Sequence, residues 1–232
     1  MRAAIAIPAR FDSTRLPGKP LLDLGGKTLI RRCYECVKSV GLDTYVLTDD
    51  HRIADEIGSD AHIITGPYNN GSERIAAAAE QGLFDIYNTV VNVQGDQPYV
   101  DPTWIDKVLT AIEKDSLNSN SIAHMYSDLA EGEQDDPSVV KMTIVNGEMQ
   151  WASRSFTYGK RFVGVYGYSV NFLKWHNSLS VLDGENSENI EQLRWIEHGY
   201  KIKVLKTEIP DNFVDINTQN DVDKWRRNND SR

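Results

Sequence analysis

The fold is decided by a stretch near the amino terminus, which reads Ala3-Ala4-Ile5-Ala6-Ile7-Pro8-Ala9-Arg10-Phe11-Asp12-Ser13-Thr14-Arg15-Leu16-Pro17-Gly18-Lys19-Pro20. Its first five residues are apolar and predict a buried strand, and the remainder predicts a charged loop. Open α/β sheets bind ligands at the carboxyl ends of their strands. The loop is therefore the first candidate for a binding site.

The chemistry of this loop suits a polyphosphate. Three cations lie within it, namely Arg10, Arg15 and Lys19. Gly18 and the small residues Ala9 and Ser13 allow a ligand to approach the backbone closely. Forked guanidinium groups, an ammonium and free backbone N–H groups together form a favourable environment for a triphosphate. The alternative is a basic loop that is merely solvated.

Outward from this loop, apolar runs alternate with helical patterns through the first half of the chain. Strands are predicted at 3–7, 44–47, 62–64 and 89–93, and helices at 28–40, 53–57, 73–81 and 102–112. This alternation predicts a parallel sheet with helices on both faces. The fold class is therefore α/β, with a Rossmann-like mixed sheet that is mostly parallel and carries appended antiparallel strands.

The second half of the chain supplies those antiparallel strands. Strands are predicted at 122–126, 139–145, 161–168 and 201–207, and helices at 170–176, 188–198 and 219–227. The segments 115–120, 128–138 and 183–189 are polar and are predicted to be loops.

Composition excludes several classes of protein. A length of 232 residues, with 40% hydrophobic and 25% charged residues, fits one α/β domain. No apolar run reaches the roughly 18 residues of a membrane-spanning helix. The apolar start ends at Pro8 and Arg10, too early for a secretion signal, so we expect a cytoplasmic protein.

The distribution of charge points to a small anionic ligand. A net charge of −9 argues against a nucleic-acid-binding protein, which usually presents a basic face. Within residues 1–41, however, basic residues outnumber acidic ones by five. This local excess predicts an anion site near the amino terminus.

Two motifs elsewhere are misleading. Cys33 and Cys36 have the spacing of a redox pair or half a zinc site. They lie on a predicted helix, and the sequence contains no second cysteine pair, so two reduced structural thiols are favoured. The segment 25–28, Gly-Gly-Lys-Thr, resembles the end of a P-loop but lacks the first glycine of that motif. It is interpreted as a turn, with Thr28 near a helix start.

Two acidic residues are candidate metal ligands. Asp96 follows the strand at 89–93, where its carboxylate could hold Mg²⁺ together with substrate phosphates. Asp215 lies in a second apolar stretch and is either a further ligand or the start signal of the last helix.

The segment 71–74, Gly-Ser-Glu-Arg, opens a helix. Ser72 is either its N-cap or part of an edge that faces a nucleotide base.

Together these residues resemble the 3-deoxy-manno-octulosonate cytidylyltransferases, the CMP-Kdo synthetase family, over nearly the whole chain. The resemblance is carried by seven motifs in family order: residues 7–20, Thr48-Asp49, 71–74, 92–98, 164–168, Glu191-Gln192-Leu193-Arg194 and Val214-Asp215. By itself, the segment 191–194 would be interpreted as a helix surface. The resemblance implies a nucleotide-diphospho-sugar transferase fold and transfer of CMP from CTP to a 3-deoxy-ulosonic acid, for lipopolysaccharide or capsule synthesis.

The family resemblance also implies roles for individual residues. The implied catalytic residues are Lys19, Arg15 and Asp96. The implied nucleotide-binding residues are Ala9, Arg10, Ser13, Arg15, Lys19, Asp49, Ser72 and Arg74. The implied sugar-binding residues are Gln94, Arg154, Tyr166, Glu191 and Gln192. Asp96 and Asp215 would hold Mg²⁺. The resemblance also implies a single domain over 1–232, with a sugar-binding and dimerisation lobe at about 120–185 inserted in it. It further implies a cytoplasmic homodimer that has no nucleic-acid or membrane partner.

Three departures from the family pattern leave the sugar open. Gln97 stands where the family usually has Glu, the segment 155–161 is short, and Phe162 replaces a His that commonly faces the sugar. The alternatives are 8-amino-Kdo or a sialic-acid-like sugar, although the Gly-Ser-Lys pattern of the sialic-acid enzymes is absent. A nucleotide-binding regulator without activity is a further alternative, which the presence of Lys19, Asp96 and Asp215 disfavours.

Overall fold

The computed structural model describes residues 2–13, 15–115, 120–210 and 213–229. Its centre is a single nine-stranded sheet. The strands are β1 Ala3–Ala9, β2 Asp43–Thr48, β3 Ala61–Ile63, β4 Thr89–Val93, β5 Ile122–Ser127, β6 Lys141–Val145, β7 Glu148–Ser153, β8 Lys160–Ser169 and β9 Ile202–Lys206.

Eight α-helices and two short 3₁₀ helices connect the strands within the described residues. The α-helices are α1 Leu29–Lys38, α2 His51–Ile57, α3 Gly71–Glu80, α4 Pro102–Lys114, α5 Val170–His176, α6 Asp183–Glu188, α7 Gln192–Glu197 and α8 Gln219–Asn229, and the 3₁₀ helices are Lys19–Leu21 and Glu133–Asp135. Thr28 caps α1, as predicted. Asn70, not Ser72, caps α3, because the Asn70 side chain accepts a hydrogen bond from the backbone N–H of Glu73.

The strand order is β3-β2-β1-β4-β8-β5-β9-β7-β6. The first four of these strands are mutually parallel, and β9 is parallel to β5. Only β7 and β8 run against the others in the described part of the sheet. The predicted mixed and mostly parallel sheet with appended antiparallel strands is confirmed. Of these strands, β8 lies within the sheet, between β4 and β5.

Three local predictions from sequence are wrong. Strand β7 was not predicted, although the Asn146-Gly147 turn before it has positive φ at both residues and is a strong hairpin signal. The loop predicted at 183–189 contains α6, which the Glu197 carboxylate holds through the backbone N–H of Gly184 at 2.8 Å. The helix predicted at 188–198 begins only at Gln192. Of the loop predicted at 115–120, residues 116–119 lie outside the described residues.

Helices cover both faces of the sheet, as predicted from the alternating pattern. One core combines the inner sides of α3, α5 and α7 with Ala4, Ala6 and Val90 of the sheet. The other combines α1, α2 and α4 with Ile5 and Val91, which point to the opposite face. Within the described ranges, no helix is long and apolar enough to cross a membrane.

A third, smaller cluster joins the two ends of the chain, and we call it the terminal cluster. It consists of Leu16, Leu24, Leu29, Cys33, Val214, Ile216, Val222 and Trp225. Both cysteines are free thiols, and Cys33 Sγ lies 3.4 Å from the carbonyl oxygen of Gly95. The terminal cluster fixes the loop after β1 against the segment that carries Asp215.

Candidate active site

A cleft of about 670 Å³ opens at the carboxyl ends of β1 and β4. Most of the residues predicted from sequence line this one cleft: Ala9, Arg10, Ser13, Arg15, Lys19, Arg74, Gln94, Asp96, Arg154, Tyr166, Glu191, Gln192 and Asp215. Among the predicted residues, Asp49 and Ser72 do not line it. The structure therefore brings together residues as far apart in sequence as Ala9 and Asp215.

The first wall of the cleft is the phosphate loop, which we define as residues 10–20. Gly18 has φ of 68°, a left-handed conformation that glycine adopts without strain, and it opens the 3₁₀ helix Lys19–Leu21. The backbone N–H of Lys19 donates to the carbonyl of Leu16 at 3.1 Å. Arg10 and Arg15 are exposed, and their guanidinium groups remain available to an anionic ligand.

Two acidic side chains face this loop. The backbone N–H of Ile216 donates to the Asp96 carbonyl at 2.9 Å, which places Asp215 beside Asp96. Lys19 Nζ lies 3.0 Å from Asp96 Oδ2. Burial raises the pKa of the Asp215 carboxyl, the Arg161 guanidinium lowers it, and the Asp96 charge raises it again. The two carboxylates are thus electrostatically coupled.

The side chains of Asp96 and Asp215 are oxygen ligands of the kind that magnesium takes. Magnesium prefers hard oxygen ligands and commonly takes one or two carboxylates, with water and substrate phosphates completing its coordination. Both carboxylates are about a quarter exposed, so they are accessible from the cleft. No group of three or more His, Cys, Asp or Glu suited to a metal occurs among the described residues. The site is therefore suited to a cation that arrives with a phosphate ligand, not to a closed all-protein metal site.

Arg161 is a cleft residue that the sequence analysis did not single out. Its guanidinium donates to Asp215 Oδ2 at 2.8 Å and also pairs with Glu133. Gln97 Nε2 donates to the other Asp215 oxygen, Oδ1, at 2.9 Å. Arg161 and Gln97 thus orient Asp215 from two sides. An arginine at the start of strand β8, just before an apolar run, was the available sequence signal.

Asn217 is a second residue that the sequence analysis missed. Its Oδ1 accepts from Lys19 Nζ at 3.3 Å and from Arg15 Nη2 at 3.4 Å. It lies two residues after Asp215 on the same segment. No motif distinguishes this amide from other Asn residues near helix starts, so only the folded structure reveals the contact.

At another part of the cleft, Arg74 is held in a fixed orientation. Its guanidinium donates to Asp49 Oδ2 and to the Ile64 carbonyl, at 2.6 and 2.5 Å, and it packs over the Tyr68 ring. Asp49 therefore acts on the cleft through Arg74. Tyr68, which lines the cleft, was not singled out in the sequence analysis.

The second wall of the cleft is formed by Gln94, Tyr166 and Glu191. Ser72 and Tyr168 lie directly behind these residues and are hydrogen-bonded to the same cluster, and we call all five residues the polar wall. Glu191 accepts hydrogen bonds from Ser72 Oγ at 2.7 Å and from the Tyr166 hydroxyl at 2.5 Å. The Tyr166 hydroxyl also accepts from Gln94, and Ser72 Oγ pairs with the Tyr168 hydroxyl. Burial raises the pKa of the Glu191 carboxyl, and hydrogen bonds from Tyr166 and Ser72 partly offset this rise.

A buried ion network lies behind the polar wall. Arg194 pairs with Glu73 at 2.6 Å and with Glu185 at 2.5 Å, and all three side chains are almost fully buried. The interpretation of 191–194 as a helix surface, taken without the family resemblance, is therefore wrong. Its polar residues form the interior support of the wall.

Arg154, Gln192 and Phe162 complete the lining. Burial lowers the pKa of the Arg154 guanidinium, and the nearby Arg15 charge lowers it further, so this part of the cleft favours an anion. The Nε2 of Gln192 is buried and has no hydrogen-bond partner among the residues that the structure describes. Phe162 is half-buried and packs on His124 at 4.0 Å between ring centroids, and it also lines the cleft.

Comparison with solved structures defines the class of protein. A structure of CMP:2-keto-3-deoxy-manno-octonic acid synthetase complexed with CTP has a TM-score of 0.84 and 28% identity, and the match covers 98% of each chain. A 4-diphosphocytidyl-2C-methyl-D-erythritol synthase from Anaerococcus prevotii shares the fold, with a TM-score of 0.63 at 14% identity. The fold is that of the nucleotidyltransferases.

Comparison with known sequences defines the family. Residues 4–202 match the model of the cytidylyltransferase family. A 3-deoxy-manno-octulosonate cytidylyltransferase from Parabacteroides distasonis is 34% identical, over 94% of each chain. An 8-amino-3,8-dideoxy-manno-octulosonate cytidylyltransferase from Shewanella sp. strain ANA-3 is 33% identical, over 97% of each chain. The chain belongs to the cytidylyltransferase family, among the 3-deoxy-manno-octulosonate cytidylyltransferases.

Proposed function

We propose that the protein transfers CMP from CTP to the anomeric hydroxyl of 3-deoxy-manno-octulosonate or a close variant of it. The observation that carries this proposal is the convergence of the phosphate loop, the two acidic residues and the polar wall on one cleft. The relatives named above support the same reaction. Pyrophosphate is the second product.

The reaction needs positioning and charge stabilisation more than covalent help from the protein. The anomeric oxygen forms a bond to the α-phosphorus. The bond from that phosphorus to the oxygen that bridges to the β-phosphate breaks, and pyrophosphate leaves with the electron pair. The hydroxyl proton passes to water. Arg10, Arg15 and Lys19 would stabilise the negative charge of the transferred and leaving phosphates, with Ala9 and Ser13 beside the triphosphate.

Magnesium is the proposed cofactor, and Asp96 and Asp215 would hold it. When bound, the cation supplies charge neutralisation at the phosphates and lowers the pKa of a coordinated hydroxyl. Gln97 and Arg161 keep the Asp215 carboxylate oriented towards the cleft. Because Asp96 and Asp215 supply two oxygen ligands, the phosphates of CTP would share the coordination of the cation.

The remaining cleft residues would select the two substrates. Arg74, oriented by Asp49, would contact the cytidine, and Ser72 would support that side from behind the cleft surface. Arg154 offers a guanidinium to the sugar carboxylate. Polar groups for the sugar hydroxyls would come from four residues of the lining: Gln94, Tyr166, Glu191 and Gln192.

The test is a direct assay with purified protein. CTP is incubated with Kdo, 8-amino-Kdo or a sialic acid, and CMP-sugar is detected by mass spectrometry together with pyrophosphate release. We expect CMP-sugar from Kdo or 8-amino-Kdo, loss of the product with a chelator, and recovery with Mg²⁺. CTP binding without any product would favour the regulator instead. Product from the sialic acid alone would overturn the proposed sugar class.

The 120–185 region is the proposed sugar-binding and dimerisation lobe of a single domain. It shares the central sheet with the rest of the chain, since β5 and β8 pair with β9 and β4. Large apolar side chains are exposed in this region, and they support a homodimer: Val145, Tyr158, Trp175 and Val181. Light scattering should give a molar mass of twice 26.2 kDa.

A cytoplasmic location is proposed because CTP is a cytoplasmic nucleotide, and cell fractionation tests this location.

A further inference from the structure

Each proposed metal ligand already contacts a cation of the chain itself. Lys19 Nζ is 3.0 Å from Asp96 Oδ2, and Arg161 Nη2 is 2.8 Å from Asp215 Oδ2. A divalent cation entering this site therefore meets carboxylates whose charge is partly neutralised. A metal ion can replace Lys19 or Arg161 at its carboxylate only if that side chain can move away.

Arg161 is fixed in place. Its guanidinium pairs with Glu133 as well as Asp215 and packs over the Phe213 ring at 5.4 Å, and the residue is only 8% exposed. Moving it would break two ion pairs and leave buried charges without partners, which is costly. Arg161 is therefore a permanent part of the Asp215 environment.

Lys19 has a different setting. Its backbone is fixed by the 3₁₀ helix, but its ammonium contacts only Asp96 and Asn217 among the side chains described, at 3.0 and 3.3 Å. Both contacts lie at the cleft surface. The flexible four-carbon stem of a lysine allows its ammonium to move by several bond rotations while the backbone stays still.

We propose that Lys19 is a removable counterion of Asp96: it neutralises the carboxylate in the free protein and moves to the triphosphate when the nucleotide binds. This inference rests on the proposed function, because it takes CTP as the ligand that attracts Lys19. The transfer exposes Asp96 to a divalent cation only when phosphates are present to complete the coordination. Lys19 is then a positioning residue for the metal as well as a ligand of the phosphates.

A consequence of this arrangement is weak divalent-cation binding to the nucleotide-free protein. CTP and the cation should bind with positive coupling, and the coupling must be reciprocal. Direct chelation of the cation by CTP also produces coupling. The discriminating measurement is therefore made without nucleotide, where only the competition between Lys19 and the cation for Asp96 remains.

The experiment is a titration of nucleotide-free protein with Mn²⁺, followed by calorimetry and by the electron paramagnetic resonance signal of free Mn²⁺. The variant Lys19→Met removes the charge and keeps most of the stem. Loss of one adjacent positive charge at a partly exposed site should tighten Mn²⁺ binding on the order of tenfold. Lys19→Arg keeps the charge and should bind Mn²⁺ as the wild type does.

Two controls locate the effect. Lys27→Met removes a lysine that is paired with Glu35 at 2.6 Å on the surface, and it should leave Mn²⁺ binding unchanged. Adding Asp96→Asn to Lys19→Met should abolish the gain in affinity, because the carboxylate that was freed is gone. Thermal melts of each variant confirm that the comparison is made between folded proteins.

The counterion role would be overturned if folded Lys19→Met bound Mn²⁺ no more tightly than the wild type. It would also be overturned if Lys19→Arg tightened Mn²⁺ binding as much as Lys19→Met does. This failure is distinguishable from failure of the proposed function. A wild type that makes CMP-sugar, combined with a Lys19→Met protein that shows no gain, overturns only the counterion role. A wild type that binds no CTP overturns the proposed function itself.

Discussion

On the phosphate-loop side of the cleft, the Lys19 ammonium meets Asp96 at a surface that is still partly exposed. In the polar wall, Ser72 Oγ meets the Glu191 carboxylate with the serine fully buried. The phosphate loop thus carries charges whose partners are few and replaceable by a ligand. The polar wall carries groups whose partners are already supplied by the protein. In the proposed reaction, the first wall would therefore bind by exchanging partners and the second by fixed shape and polarity.

The largest effect is expected where the phosphate loop meets the acidic pair. Asp96→Asn removes the charge that the proposed cation requires, so turnover should fall by about 10³-fold or more, as for loss of a principal electrostatic group. The melting temperature should change little because Asp96 is partly exposed. Asp85→Asn, which affects an exposed pair with Lys174, is the control. Normal turnover by Asp96→Asn would remove this residue from the site.

The phosphate loop itself should give the next largest effect. Lys19→Ala and Arg15→Ala should each lower kcat/KM for CTP by about 10²–10³-fold, the usual result of losing one preorganised donor. Lys19→Ala should be the more severe, because Lys19 contacts the Asp96 carboxylate, whereas the Arg15 guanidinium donates to the neutral Asn217 amide at 3.4 Å. Lys27→Ala is the control. If both variants use CTP normally, the loop is merely solvated.

Substitutions in the polar wall should lower the stability of the protein as well as its activity, which would distinguish this wall from the phosphate loop. Tyr166→Phe leaves Glu191 and Gln94 without a shared hydroxyl partner in a buried setting, which should lower the free energy of unfolding by about 1–3 kcal/mol. Urea unfolding measures this loss, and steady-state kinetics should show a raised KM for the sugar. An unfolding free energy equal to that of Lys19→Ala would contradict the proposed difference between the walls.

The smallest effect is expected at Phe162. Its ring cannot form a hydrogen bond with the sugar, so Phe162→His should improve kcat/KM for Kdo relative to its amino-substituted variants, by up to about tenfold. Phe156→His is the matched control because Phe156 does not line the described cleft. Unchanged kcat/KM for every sugar would show that position 162 does not select the substrate. Its ring contact with His124 would then be its whole role.

The two walls also differ in how far they could be predicted from sequence. The phosphate loop is one continuous stretch after a buried strand, so its cations and its glycine were recognised together. Asp96 and Asp215 were recognised as single acidic residues, but nothing in their local sequence showed that Ile216 would pair with the Asp96 backbone. Arg161 was missed because its partners lie 28 and 54 residues away in sequence.

The polar wall could be assigned only through the family resemblance. Taken by itself, the Glu191 segment has the composition of a solvated helix, and its burial depends on long-range partners such as Ser72. The position of Gly164 also depends on contacts between residues that are distant in sequence. A Cβ added there would lie 2.9 Å from the Gln97 amide nitrogen, a contact that only the pairing of β8 with β4 creates. Tertiary contacts, not local pattern, determine this side of the cleft.

The terminal cluster has a consequence for how the protein is made. Leu16 and Leu24 pack against Val214, Ile216 and Trp225, which are synthesised about 200 residues later. While the chain is still attached to the ribosome, the phosphate loop emerges early but lacks the residues that hold it. The phosphate loop therefore acquires its support in a late step, only after the residues around 214–225 have been synthesised.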